Sequence, residues 1–230
     1  MTVFFFLTML AILVVIDGII ERRKAKRVGQ HSLQRSPAGS FEFRLPADVA
    51  LATNHTWLRK SPDGTVTVGF DEFLGNLIGA PERVSLPFRG NLITTTDGHF
   101  QLYDGDRRLE FVSPVAGQVV EVNVAAEANP SLITQDPYGR GWLFRVRPMS
   151  TGDLRHPPMT GETAVRWLKR QARLAVEFLS LRQVPAAVVT MYDGGEPRKG
   201  VLRQFDAEVW REFQDKFIGR FGEERKGGEE

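Results

Sequence analysis

The sequence predicts a mainly β domain, a small barrel or sandwich, preceded by an N-terminal transmembrane helix and followed by a C-terminal α/β extension. Three observations carry this. Val3 to Ile20 is apolar except for a few small or polar residues and one charge, Asp17. From Thr65 to Pro148, short β-rich runs alternate with Gly and Pro. Past Pro148 the apolar period lengthens to that of a helix.

The N-terminal run, VFFFLTMLAILVVIDGII, is about the ~20 apolar residues that cross a bilayer core as a helix. A cleaved secretory signal places its positive charges before the apolar run and a small-residue cleavage site after it. Here Arg22, Arg23, Lys24, Lys26 and Arg27 come after, and no Ala-x-Ala-like site follows. The order predicts an uncleaved single-pass anchor in the cell membrane, with the bulk of the chain cytoplasmic. Asp17 lies one turn from the basic cluster, at the expected headgroup level. Glu21 to Ser40 carries Gly29, Pro37 and Gly39 and no strand or helix period, which reads as a basic tether. A plain topogenic signal explains the same residues.

The β region opens at the Pro62-Asp63-Gly64 turn, followed by Thr65-Val66-Thr67-Val68. Phe70 to Ile78 has apolar residues at 70, 73, 74, 77 and 78, a short helix. The runs RVSLPF, NLITT, LEFVSP, GQVVEVNV and GWLFRVRP then read as strands. Further on, Thr160 is placed to cap a helix beginning near Gly161, with Glu162 in its first turn. Val165, Leu168, Ala172, Ala175 and Leu179 form its apolar stripe, widened by Trp167, Leu174, Phe178 and Leu181. PAAVVTM (Pro185 to Met191) is a strand candidate, Asp193-Gly194-Gly195 a turn, and Asp206 to Phe217 a second helix with Val209, Trp210, Phe213 and Phe217 inward. The divisions are therefore an anchor over 1–21, a tether over 22–45, a β domain over 46–150, an extension over 151–220 and a polar tail over 221–230.

Composition excludes several classes. A net charge of +2 gives no basic surplus for nucleic acid. No cysteine is present, which removes disulfides, thiolate metal sites and thiol catalysis. The four histidines have no metal-ligand spacing, and no nucleophile elbow or phosphate-binding glycine loop occurs. No catalytic residue, metal site or cofactor-binding residue is expected, and the chain is not expected to be an enzyme.

Several motifs in register resemble the glycine cleavage system H protein family. His55-Thr56-Trp57, Val68-Gly69 and Leu86-Pro87-Phe88-Arg89-Gly90 are similar to that family's opening. Ser113 to Asn123 (SPVAGQVVEVN), with Pro114 and Gly117, resembles the hairpin after its carrier lysine. Asn129-Pro130-Ser131-Leu132 and Gln135 to Pro148, containing Asp136, Pro137, Tyr138, Gly139, Gly141 and Trp142, resemble its closing motif. The resemblance covers His55 to Pro148 and implies a lipoyl-type barrel-sandwich hybrid. Each motif also has a structural cause, since Gly, Pro and Asn serve turns and Val serves strands. His55 reads as surface packing on the barrel ahead of a functional group, and Trp57 and Trp142 as core or rim aromatics.

The resemblance also implies a lipoyl-lysine on an exposed hairpin, in a Glu-Ser-x-Lys motif. Counting back from Pro114 by the family's spacing lands on Asp106, in Tyr103-Asp104-Gly105-Asp106. No lysine occurs between Lys60 and Lys169. Arg107 and Arg108 follow, but a guanidinium stays protonated and forms no amide with lipoate. Asp104-Gly105 reads as the tight turn itself. The expected function is a membrane-anchored, non-lipoylated docking or adaptor module for a protein partner or enzyme complex, with lipoate absent and no nucleic acid bound. The competing expectation is a lipoyl-dependent aminomethyl carrier of glycine cleavage. A biotin-type carrier fails on the same missing lysine.

Overall fold

The computed structural model describes residues 43–96, 99–149, 157–182 and 199–219. The chain divides into two compact units, residues 1–38 and 39–230, and every described residue lies in the second. The expected anchor and most of the tether, the strand at Pro185–Met191, the turn at Asp193–Gly195 and the polar tail lie outside the described residues. Among the described residues no helix is long and apolar enough to cross a membrane.

Among the described residues nine strands form two antiparallel sheets. The larger has the order β1-β2-β3-β9-β8-β5 and the smaller β4-β6-β7. In chain order the elements are β1 (Ala50–Leu51), β2 (Thr56–Lys60), β3 (Val66–Phe70), α1 (Glu72–Ile78), β4 (Arg83–Ser85), β5 (Leu92–Ile93), β6 (His99–Asp104), β7 (Arg107–Val112), β8 (Gly117–Val122), α2 (Val124–Ala128), α3 (Leu132–Gln135), β9 (Trp142–Arg147), α4 (Gly161–Ser180) and α5 (Ala207–Phe213). The strands expected within the described residues are present. β1, β2 and β6 were not foreseen, although Phe100, Leu102 and Asp104 alternate inward along β6.

The β2–β3 hairpin turns where expected. Asp63 accepts from the Thr65 amide and hydroxyl at 3.0 and 2.7 Å, and Gly64 supplies a φ of +81°. Those Thr65 bonds hold the Asp63 carboxyl below its ordinary range. All five β3 residues are buried, because the strand lies inside the sheet and both faces are covered. Its Phe70 packs on Phe111 at 4.5 Å, and Phe100 meets Phe111 and Phe144 at 5.4 and 5.2 Å. This aromatic cluster fills the space between the two sheets.

The C-terminal elements share that core. Thr160 occupies the N-cap position of α4, although its hydroxyl makes no capping bond. The helix start is fixed instead by Met159, which exchanges backbone hydrogen bonds with Leu51 of β1 at 2.7 and 2.8 Å. Ala164, Leu168, Ala172, Ala175, Phe178 and Leu179 face inward. Ala164 takes the place expected for Val165, and Leu181, past the helix end, is exposed. The second expected helix divides: α5 runs Ala207–Phe213 and then widens into a π turn over Gln214–Ile218. Val201, Leu202, Phe205, Trp210, Phe213 and Phe217 are buried in one cluster with the strands and α4.

Candidate functional site

Asp106, the residue expected from the resemblance to stand at the carrier position, lies on the β6–β7 hairpin. Asp104 pairs with Arg107, so the two-residue turn is Gly105-Asp106, one residue later than the sequence suggested. Gly105 has φ +61°, which only glycine adopts freely as the first central residue of such a turn. Asp106 is exposed at the tip, as expected. The Gly105 amide donates to Glu82 at 2.8 Å, which ties the tip to the residue before β4.

Asp104 is different in kind from Asp106. Its side chain is fully buried, so it is no part of a solvated charged turn. Arg107 Nη2 donates to its Oδ2 at 2.5 Å. Arg203 Nη2 lies 2.7 Å from Oδ1, close enough for an ion pair but not aligned as a hydrogen bond. A buried carboxylate needs such partners, because desolvating it alone is costly. Arg107 also donates to the carbonyls of Arg203 and Phe205 at 2.6 and 2.9 Å. Arg108 is exposed and pairs with Glu110.

The remaining motif residues form a structural frame. The Asn123 side chain accepts from the Ala126 amide at the start of α2, and donates to the carbonyls of Arg140 and Trp142 at 2.9 and 2.6 Å. Asp136 accepts from the Arg140 amide at 2.8 Å. A Cβ on Gly139 would lie 2.4 Å from that carboxylate, and one on Gly141 2.6 Å from the Leu132 carbonyl. The Pro137 carbonyl accepts from Trp57 Nε1 at 3.0 Å, and the Tyr138 carbonyl from Arg59 at 2.8 Å. Burial pushes the Tyr138 phenol well above its ordinary value of 10.0, and nearby Asp71 adds to the shift. Trp57 is fully buried against Gly69, while Trp142 is half-buried with Arg145 above its ring. Gly90 has φ +92° and Pro114 is buried ahead of β8. Gly117 has φ +149°, and a Cβ there would lie 2.3 Å from the Arg147 carbonyl oxygen.

His55 corrects the sequence reading. It is fully buried, with no place on the barrel surface. Its Nδ1 lies 2.8 Å from Asp71 Oδ2, and since a carboxylate only accepts, Nδ1 carries the hydrogen. The ring stacks on Phe73 at 4.3 Å and meets Trp167 of α4 at 4.7 Å. Its backbone has φ +61°, rare for a residue with a Cβ, and Asp71 also caps α1 through the Leu74 amide. The histidine is a joint between the β1–β2 turn, α1 and α4.

A glycine cleavage H-protein family signature matches residues 49–171. The chain belongs to the glycine cleavage H-protein family. A glycine cleavage system H protein from Psychrobacter cryohalolentis is 36% identical over 109 residues, covering 47% of this chain and 86% of that protein. The one from Shewanella oneidensis is 34% identical over 110 residues, covering 48% and 85%. A crystal structure of the H protein from Mycobacterium marinum aligns with 30% identity over 53% of this chain and 98% of that one, with a TM-score of 0.47. The H-protein match ends inside α4, so the segment after residue 171, including Arg203 and Gln214, lies beyond it.

Among the described residues no three His, Asp or Glu side chains are grouped to hold a metal ion. An open groove of about 460 Å³ runs between the end of α4 and the π turn, lined by Phe178, Leu181, Arg182, Glu212, Asp215 and Lys216. No motif residue of the H-protein match contributes to it. The hairpin tip offers a carboxylate and no amine, so its residues do not fit an amide-linked arm.

Proposed function

We propose that this chain is a non-lipoylated member of the H-protein family that works as a docking or adaptor module, anchored in the membrane by residues 1–21. The observation that carries the reading is the tip itself: a Gly105-Asp106 turn within a stretch that has no lysine from Ser61 to Leu168. An amide-linked cofactor needs a primary amine, and none is supplied there. The fold is kept by Asn123, Gly117, Gly139 and Gly141, none of which performs chemistry. A module that keeps its shape without its arm retains surface recognition, so the partner is a protein or enzyme complex and no reaction is assigned to the chain.

The apolar run followed by five basic residues supports a single-pass topology with the H-like domain in the cytoplasm. A periplasmic reporter fused at Glu230 is expected to be inactive, and an active one overturns the topology. The alternative, a lipoyl-dependent aminomethyl carrier, is favoured by family membership and by the names of the relatives. Intact-mass measurement after co-expression with a lipoate ligase separates the two. The adaptor reading expects the unmodified mass, and a lipoyl-sized increment on any residue of the domain ends it.

A further inference from the structure

The smaller sheet ends at β7, so that strand has one free edge. Free edges invite pairing with another chain unless something covers them. Here the cover comes from residues 200–219. The Gln214 side chain accepts from the Glu110 amide at 2.8 Å and donates to the Glu110 carbonyl at 2.9 Å. One side-chain amide thereby satisfies both main-chain groups as a neighbouring strand would. Arg107, at the other end of β7, donates to the carbonyls of Arg203 and Phe205, and Arg203 in turn pairs with buried Asp104.

The cover is itself anchored. Trp210 is buried, lies under the Arg107 guanidinium at 5.3 Å and donates Nε1 to the Leu202 carbonyl at 2.9 Å. The Gly200 amide donates to the Asn76 carbonyl of α1 at 2.9 Å. Phe213 and Phe217, on either side of Gln214 in sequence, stack at 4.7 Å and are buried in the common core.

We propose that residues 200–219 are an intramolecular strap that closes the β7 edge to strand addition by a partner and pins the hairpin that bears the carrier position. The strap sets what the hairpin can do. It presents a fixed tip at Asp106 and offers no free edge, so a partner that reads this face meets the strap as well. The inference goes beyond the adaptor reading and stands apart from it, because the strap would pin the hairpin of a lipoylated chain equally.

Hydrogen exchange on the full chain tests it. In a double variant, Arg203→Ala with Gln214→Ala, peptides covering 104–112 are expected to exchange about tenfold faster, while peptides from β3 and β9 stay within about twofold of wild type, as local opening requires. If the double variant does not fold, Gln214→Ala alone keeps every aromatic anchor and is expected to speed exchange over 104–112 by about threefold. Unchanged exchange in 104–112 overturns the proposal, since the strap would then not be what holds the hairpin. Acceleration of all peptides together also overturns it, since residues 200–219 would then be ordinary core with no local hold on β7.

Discussion

Two loops of this domain carry the family's position markers, and they are held in different ways. The closing loop from Asn123 to Trp142 is stabilised mostly by its own neighbours, with Trp57 and Arg59 of β2 holding the Pro137 and Tyr138 carbonyls. Asn123 bonds to Ala126, Arg140 and Trp142, Asp136 bonds to Arg140, and Gly139 and Gly141 sit where any Cβ would meet a carboxylate or a carbonyl. The hairpin tip from Asp104 to Arg107 is held by Glu82 and its own Asp104–Arg107 bond, and also by residues about a hundred positions away, in a segment past the H-protein match. The first loop keeps the family's residues because backbone packing requires them. The second is bonded to partners that the extension brings. One fold can thus carry a loop held mostly locally beside a hairpin held from a distant segment.

The largest effect is expected in the frame. Gly117→Val is expected to cost about 3 kcal/mol or more, because a Cβ there meets the Arg147 carbonyl oxygen and the φ of +149° disfavours a branched residue. Thermal unfolding measures this, and a melting temperature equal to wild type would show that the β8 start is misplaced. Asn123→Ala comes next, at about 2 kcal/mol, because it takes the side-chain donor from two carbonyls and removes the side-chain cap of α2. On the hairpin, Arg107→Ala is expected to cost a similar amount, about 2 kcal/mol, by removing one of the two cations that face buried Asp104. The loss should be smaller when Asp104→Asn is already present, and a double-mutant cycle that shows simple additivity would contradict the pairing.

A pH titration sharpens the frame further. The folded-state value of Tyr138 is raised, so the neutral phenol is favoured by folding. Its contribution is fully present below the unfolded value near 10.0 and is lost as pH rises above it. Wild type should therefore lose stability above about pH 10, and Tyr138→Phe should lose less over the same range. The smallest effect belongs to the tip. Asp106→Ala is expected to change stability by less than about 0.5 kcal/mol, since the residue is exposed and its side chain has no hydrogen-bond or ion-pair partner among the described residues.

The frame was legible in the sequence for physical reasons. Pro62-Asp63-Gly64 announces its turn because Asp and Gly each perform a local task, and the glycines of the closing loop mark places too tight for a side chain. The absence of lysine from Ser61 to Leu168 is read directly from the sequence. What stayed hidden depends on distance in the chain. Nothing near Gln214 indicates that its amide will bond to Glu110, 104 residues away, and nothing in His-Thr-Trp foretells that Asp71 and Trp167 will enclose the histidine. The one-residue shift of the turn, from Asp104-Gly105 to Gly105-Asp106, has the same origin. Asp104 looks like a turn residue locally and is drawn inward by arginines from both sides.

Under the proposed reading the tip is a fixed turn, which is more than a carrier hairpin without its lysine. Asp106→Lys, expressed in the full chain with a lipoate ligase and followed by peptide mass spectrometry, tests this most directly. The amine would then stand at the carrier position, without the Glu-Ser context before it and on a hairpin held by Glu82, Arg203 and Gln214. The account predicts no lipoyl increment on the peptide containing residue 106. A lipoyl increment there would contradict it, showing that a single substitution is all that separates this hairpin from a carrier arm.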